Sequence, residues 1–346
     1  MKKTAITLLK IGLSVGILAF LFWRAQDDPA FDKLRDDPKN WSLLAAAWAV
    51  CGLAVTVTLV RWWLLVRALE LPLPLSGALR IGFLGYLFNL APMGLVGGDL
   101  LKAVMLAREN RTQRTRAVAS VAVDRTVGLL MLFIVATTAI FACGYFNHPH
   151  ADIRWVCRVI VGATILACFG VLLLISPGIT LGRGTAALER IPHIGPILNS
   201  LIESVRMYRR QPLVILVAIV MSAAVHVLFA TGIYLIARGL PGVTPPYPEH
   251  LVIAPVSSLA SIIPLPAGPQ EGAIQYLYGQ LASAAAKGLV IGLTYRIITI
   301  LIAMVGVGYY LAARREVTEV IHDVEEEQEH EGRVLATAEA RPSAER

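Results

Sequence analysis

The run from Asn89 to Lys102 reads NLAPMGLVGGDLLK and lies between two strongly apolar stretches. It holds Pro92, Gly94, Gly97, Gly98 and the carboxylate of Asp99. Glycine and proline leave backbone groups unpaired, and at membrane depth no water is present to satisfy them. Such a break is tolerated only where it is buried in protein or lines a polar cavity. A second run, Ile263 to Gln275 (IPLPAGPQEGAIQ), repeats the pattern with Pro264, Pro266, Gly268 and Glu271. Pro92 precedes Asp99 by seven residues, and Pro264 precedes Glu271 by seven. Asp99 is followed by Arg125 after 26 positions and Glu271 by Arg296 after 25. Each half therefore carries a broken segment, a carboxylate and an arginine on the following helix.

The composition around these runs belongs to a membrane. Of 346 residues 56% are hydrophobic and 16% charged, with mean hydropathy +0.65, which excludes an ordinary soluble domain. The net charge of +7 lies in loops at helix ends, as topology demands, so no nucleic-acid partner is expected. Cys51, Cys143, Cys157 and Cys168 form no CxxC or Cys/His pattern. No metal or other cofactor is expected; buried inert thiols are the main reading, with a Cys143–Cys157 disulfide as the lesser one.

Charge and hydropathy give the expected topology. Met1 to Trp23 reads as an uncleaved first helix, because Lys10 interrupts the apolar run and Phe22, Trp23 and Arg24 stand where a cleavage site needs small residues. The acidic loop Arg24 to Trp41 belongs outside. Ser42 to Val60 returns to Arg61, Trp62, Trp63 and Arg67, read as anchors at the cytoplasmic interface. Basic clusters then flank the Gly77–Ala107 segment on both sides, which a single crossing cannot satisfy. The segment is expected to enter and turn back at its glycines, with arms of about a dozen residues reaching about half of the roughly 30 Å hydrocarbon layer. Spans follow at 117–143, 156–175, 212–237 and 289–312, the last closed by Arg314 and Arg315. Between them, Leu251 to Ala286 forms a second hairpin entering from the other face.

The expected fold is thus an all-α polytopic membrane protein of two inverted repeats, each with a Gly/Pro-broken re-entrant hairpin. The membrane domain covers 1–313, with repeat one at about 1–143 and repeat two at about 156–313. An amphipathic connector at 176–211 joins them, and 314–346 is a charged tail. Both termini are expected in the cytoplasm, and the compartment is expected to be the cell (inner) membrane.

Asp99, Asp124, Arg125, Glu271 and Arg296 should face one another or a polar cavity, since an isolated charge at membrane depth is costly. Two readings stand side by side. In the structural one, Asp99–Arg125 and Glu271–Arg296 are interhelical ion pairs, or Asp124, Arg125 and Arg296 snorkel to the headgroups. In the functional one, the arginines present a planar fork to a lipid phosphate while the carboxylates orient them or carry a proton. Asn89 and Gln270 add neutral hydrogen bonds, although Asn89 is better read as satisfying hairpin backbone. His226 reads as a satisfied structural histidine. GLVGGD lacks the GK[ST] element of a phosphate-binding loop.

The runs NLAPMGLVGGDLLKAVML, VDRTVGLL and PLPAGPQEGAIQ resemble the flippase-like family that includes the transmembrane region of lysylphosphatidylglycerol synthases. The likeness extends from about Arg61 to Tyr310. It implies movement of a phospholipid or lipid-linked glycan between leaflets, with Asp99, Arg125 and Glu271 at the family's polar positions. Two features depart from that pattern. The soluble aminoacyl-transferase domain has no counterpart, so lipid lysylation is not expected, and Ala267 and Pro269 replace a more glycine-rich turn. A lipid transporter is the first expectation, not an enzyme. The alternatives are a membrane-embedded lipid-modifying enzyme, for which Ser257, Ser258 and Ser261 with His226 are the only nucleophile and base candidates, and an accessory subunit of cell-envelope synthesis. A homo-oligomer or a separate lipid-synthesis partner completes the expected associations.

Overall fold

The computed structural model describes residues 12–21, 23, 36–90, 95–176, 195–261, 263, 265, 267–314 and 319. Pro92, Gly94, Pro264 and Pro266 lie outside these, as do most of the acidic loop and of the charged tail. The described residues form helices and no strand. In chain order they are α1 (Gly12–Leu21), α2 (Trp41–Ala68), α3 (Leu75–Leu90), α4 (Leu95–Glu109), α5 (Arg114–Ala142) and α6 (Ala151–Ile175). Then come α7 (Gly195–Tyr208), α8 (Pro212–Gly239), α9 (Tyr247–Ala260), α10 (Pro269–Ala282) and α11 (Ala285–Ala312).

Five of these, α2, α5, α6, α8 and α11, are long and apolar enough to cross a bilayer. Helices of 28 residues such as α2 and α8 extend about 42 Å at 1.5 Å per residue, beyond a hydrocarbon layer of about 30 Å. The pairs α3/α4 and α9/α10 are different. Their 14 to 16 residues each reach only about 21–24 Å, somewhat more than a dozen-residue arm and still less than a crossing. Each pair is a hairpin closed at its open end by side chains. Arg80 at the start of α3 meets Glu109 at the end of α4 at 3.2 Å, and His250 Nε2 in α9 bonds the Tyr278 hydroxyl of α10 at 2.6 Å.

Helices α2 and α8 pack along their length and run antiparallel. The Asn40 N–H donates to Gly239 O at 2.9 Å, Gly232 lies against Cys51, and Arg61 Nη1 donates to the Ser222 hydroxyl at 2.8 Å. Hairpin one follows the C-terminal end of α2 and hairpin two that of α8, so their open ends lie at opposite ends of the bundle. The packing pattern is unchanged when α2, α3, α4 and α5 are exchanged for α8, α9, α10 and α11: α3 packs on α11 just as α9 packs on α5.

Local sequence explains the ends of these elements. Asn40 Oδ1 accepts the Leu43 N–H and caps α2. After α8, the Lys287 ammonium donates to Leu240 O, Gly242 O and Thr244 Oγ1 at 2.8–3.1 Å, holding the turn that follows α8 against the start of α11. Helix α7, in the connector, lays one face on the bundle: Ile202 and Tyr208 are buried while Glu203 and Arg206 are exposed, and the Tyr208 hydroxyl donates to Leu65 O at 2.7 Å. Cys143 and Cys157 are both free.

Arg61 and Trp62 correct the reading as interfacial anchors, because both are buried. Trp62 Nε1 donates to the Ser120 hydroxyl at 3.3 Å. Arg61 Nε donates to Asp124 Oδ1 at 2.8 Å, and both side chains are almost fully enclosed. Asp124 therefore does not snorkel. Its partner lies 63 positions upstream on an antiparallel helix, a pairing that no local spacing reveals.

Candidate functional site

Hairpin one places its carboxylate through a close approach of its two arms. Gly97 and Gly98 are not in the turn, where the glycine run had been expected to reverse the chain; both lie in the first turns of α4. Gly98 serves packing. A Cβ on Gly98 would collide with Gly85 O and with the Asn89 side chain on the facing arm. The Gly98 N–H donates instead to Asn89 Oδ1 at 3.2 Å, so Asn89 satisfies hairpin backbone. We expect Gly98→Ala to lose about 1–3 kcal/mol by overpacking, read as a lower thermal midpoint in detergent; an unchanged midpoint would contradict this arm contact. One residue on, Asp99 bonds Arg125 Nε of α5 through Oδ2. Its Oδ1 lies 3.6 Å from the Lys102 ammonium and has no hydrogen bond among the described residues.

Hairpin two reaches a parallel arrangement by another route. Gly268 has φ +110°, which a side chain would strain, and a Cβ there would come within 2.8 Å of Ile17 of α1. Its N–H donates to Glu271 Oε2 at 2.8 Å, so the glutamate reaches back over the first turn of α10. Glu271 Oε1 accepts from Arg296 Nε of α11 at 2.6 Å. Gly292, one turn before Arg296, allows this contact, since a Cβ there would stand 2.9 Å from Glu271 Cα. Gln270 accepts the Ser261 hydroxyl at 3.2 Å. Glu271 sits in the first turn of α10, where the helix dipole favours negative charge, and Asp99 stands one turn into α4.

The two arginines match in depth. Arg125 stands eleven residues into α5 and Arg296 eleven into α11, about 16 Å along each axis from opposite ends of the bundle. Each uses Nε for its carboxylate, and among the described residues neither terminal Nη pair has a hydrogen-bond partner. The Arg125 side chain is 43% exposed and that of Arg296 22%, whereas Glu271 is 1% exposed. The narrow crevice lined by Tyr145, Cys157, Val252 and Leu277 lies between α6, α9 and α10 and touches none of these charges.

A family model described as the lysylphosphatidylglycerol synthase TM region matches residues 7–306. The chain belongs to this family. It is a multi-pass membrane protein with a lipid-related role, in keeping with the resemblance of its three runs. Neither a curated protein nor a solved structure matches the chain.

In this family member the hydroxyl and imidazole candidates are occupied locally. Ser257 and Ser258 donate to Ala254 O, and His226 Nε2 bonds Gly128 O at 3.0 Å on α5. Sequence reasoning missed Arg61 and Lys102 as members of the charged cluster. Lys102 had a legible signal, because a lysine three residues after Asp99 shares its helix face. Arg61 had none, since beside two tryptophans it looks interfacial.

Proposed function

We propose that the protein moves a lipid with an anionic phosphate headgroup between the leaflets of a cell membrane. The site lies between two halves related as inverted repeats and is exposed to each side in turn. One observation carries the reading: two arginines at matching depth in opposite halves, each fixed by Nε to an acidic partner, leave their planar Nη forks unengaged. A guanidinium held in this way is oriented in advance for two parallel hydrogen bonds to a phosphate. The N-termini of α4 and α10 start at the hairpin tips and add partial positive charge there. The cargo class is a phospholipid or lipid-linked glycan, and both chain termini face the cytoplasm.

The experiment is leaflet exchange of fluorescent anionic and zwitterionic lipids in proteoliposomes. Wild-type protein is expected to exchange an anionic lipid, and Arg125→Gln and Arg296→Gln, each verified as folded, to lose at least about tenfold of the rate, the worth of one charge-assisted hydrogen bond. Equal rates in wild type, both variants and empty liposomes would refute the transporter reading.

A further inference from the structure

The two halves differ one helical turn beyond their carboxylates. Hairpin one carries Lys102 three residues after Asp99, and hairpin two carries the fully buried Ile274 three residues after Glu271. Lys102 is 6% exposed. Its ammonium lies 3.6 Å from Asp99 Oδ1 and 5.6 Å from the centre of the Trp62 ring, and it makes no hydrogen bond among the described residues. Its stem lies along α3 at Gly85, where a Cβ would come within 2.9 Å of Lys102 Cε. The arm interface is therefore built around this side chain.

The charges gathered around the two hairpin carboxylates differ. Among the described residues Arg61, Lys102 and Arg125 face Asp99 and Asp124, leaving one positive charge in excess, whereas Glu271 and Arg296 balance. Lys287, the other buried ammonium, is held apart from them by Leu240 O, Gly242 O and Thr244 Oγ1. A surplus charge inside an apolar bundle is costly unless an anion accompanies it. We propose that Lys102 makes hairpin one an electropositive docking site for a headgroup of net charge −1, while hairpin two is a neutral receiving site. Lys102 lies behind Asp99 and acts through its field, which the low-dielectric core screens weakly. It is a determinant of headgroup charge, and Arg125 supplies the contact. This inference rests on the headgroup reading above and adds to it which lipids the site selects and which half holds them.

The test compares binding of spin-labelled phosphatidylglycerol and phosphatidylcholine, both phosphodiesters and only the first net anionic, to purified protein in phosphatidylcholine nanodiscs. Wild type is expected to favour phosphatidylglycerol about tenfold, the size of a through-space attraction between two unit charges roughly 12 Å apart in a partly screened interior. Lys102→Met should reduce this preference to about twofold or less and Lys102→Arg should keep it. Because Lys102→Met removes the positive charge in excess and Arg125 still pairs Asp99, it should be at least as heat-stable as wild type in phosphatidylcholine. A lower midpoint would show that the lysine holds the fold and would overturn the proposal, as would an unchanged preference. Competition by millimolar inorganic phosphate as strong as by lipid would reassign the site to a free ion. If Arg125→Gln and Arg296→Gln bind both lipids like wild type, the headgroup reading itself fails. If they lose binding while Lys102→Met keeps its preference, only the present inference fails.

Discussion

Glu271→Ala is expected to destabilise the protein by about 3–5 kcal/mol, the usual cost of removing one member of a buried ion pair, and to abolish lipid exchange. The carboxylate is almost fully enclosed and serves two donors at once, Gly268 N–H through Oε2 and Arg296 Nε through Oε1. Alanine leaves both without their acceptor where the carboxylate is almost fully enclosed. Glu271→Gln separates the two roles. Its one amide oxygen can serve one donor, so the loss should be smaller, about 1–2 kcal/mol, while exchange is still lost because Arg296 is no longer held by an anion. Thermal unfolding in detergent gives the first quantity and the proteoliposome assay the second. Full exchange by a folded Glu271→Gln protein would leave the residue with a structural role only.

Arg61→Met should show an equally large loss, about 3–5 kcal/mol, with a different remedy. Its partner Asp124 is as enclosed as Arg61 itself, and the guanidinium also donates to Ser222 on α8, so the cluster ties three helices together. Replacing both charges, Arg61→Met with Asp124→Leu, should recover stability to within about 1 kcal/mol of wild type, since a buried pair is often no better than apolar packing. The double variant should also keep its exchange activity. The triple variant Asp99→Leu, Lys102→Met and Arg125→Met, which leaves none of these three charges unpaired, should fold and not transport, because there the exposed arginine fork is the working part. Recovered stability with lost exchange in the Arg61/Asp124 double variant would move that cluster into the transport machinery.

Most of the architecture was legible in the chain. The five crossing helices follow from runs of apolar residues long enough for a bilayer, and the two hairpins from proline and glycine inside such runs. The pairs Asp99–Arg125 and Glu271–Arg296 were one of the readings that the spacing left open, since a charge at membrane depth needs a partner, a polar cavity or a reach to the headgroups. Asn89 and His226 behave as their residue types and settings imply. The glycines were read less well. Gly97 and Gly98 resembled a turn, but a glycine serves a sharp turn and a close helix contact equally, and only the facing Gly85 and Asn89 decide between them.

By itself the sequence determined that this protein is all-helical, lies in a membrane and carries one broken, charged segment in each half. These features depend on the period and length of apolar runs, which are local properties. The tertiary structure alone decided that Arg61 is buried on Asp124, that Lys102 leaves hairpin one with a surplus charge, and that the arginine forks lie open at matching depth. Each of these depends on which helices are antiparallel neighbours, and a side chain's partner across such an interface is set by the packing of the whole bundle.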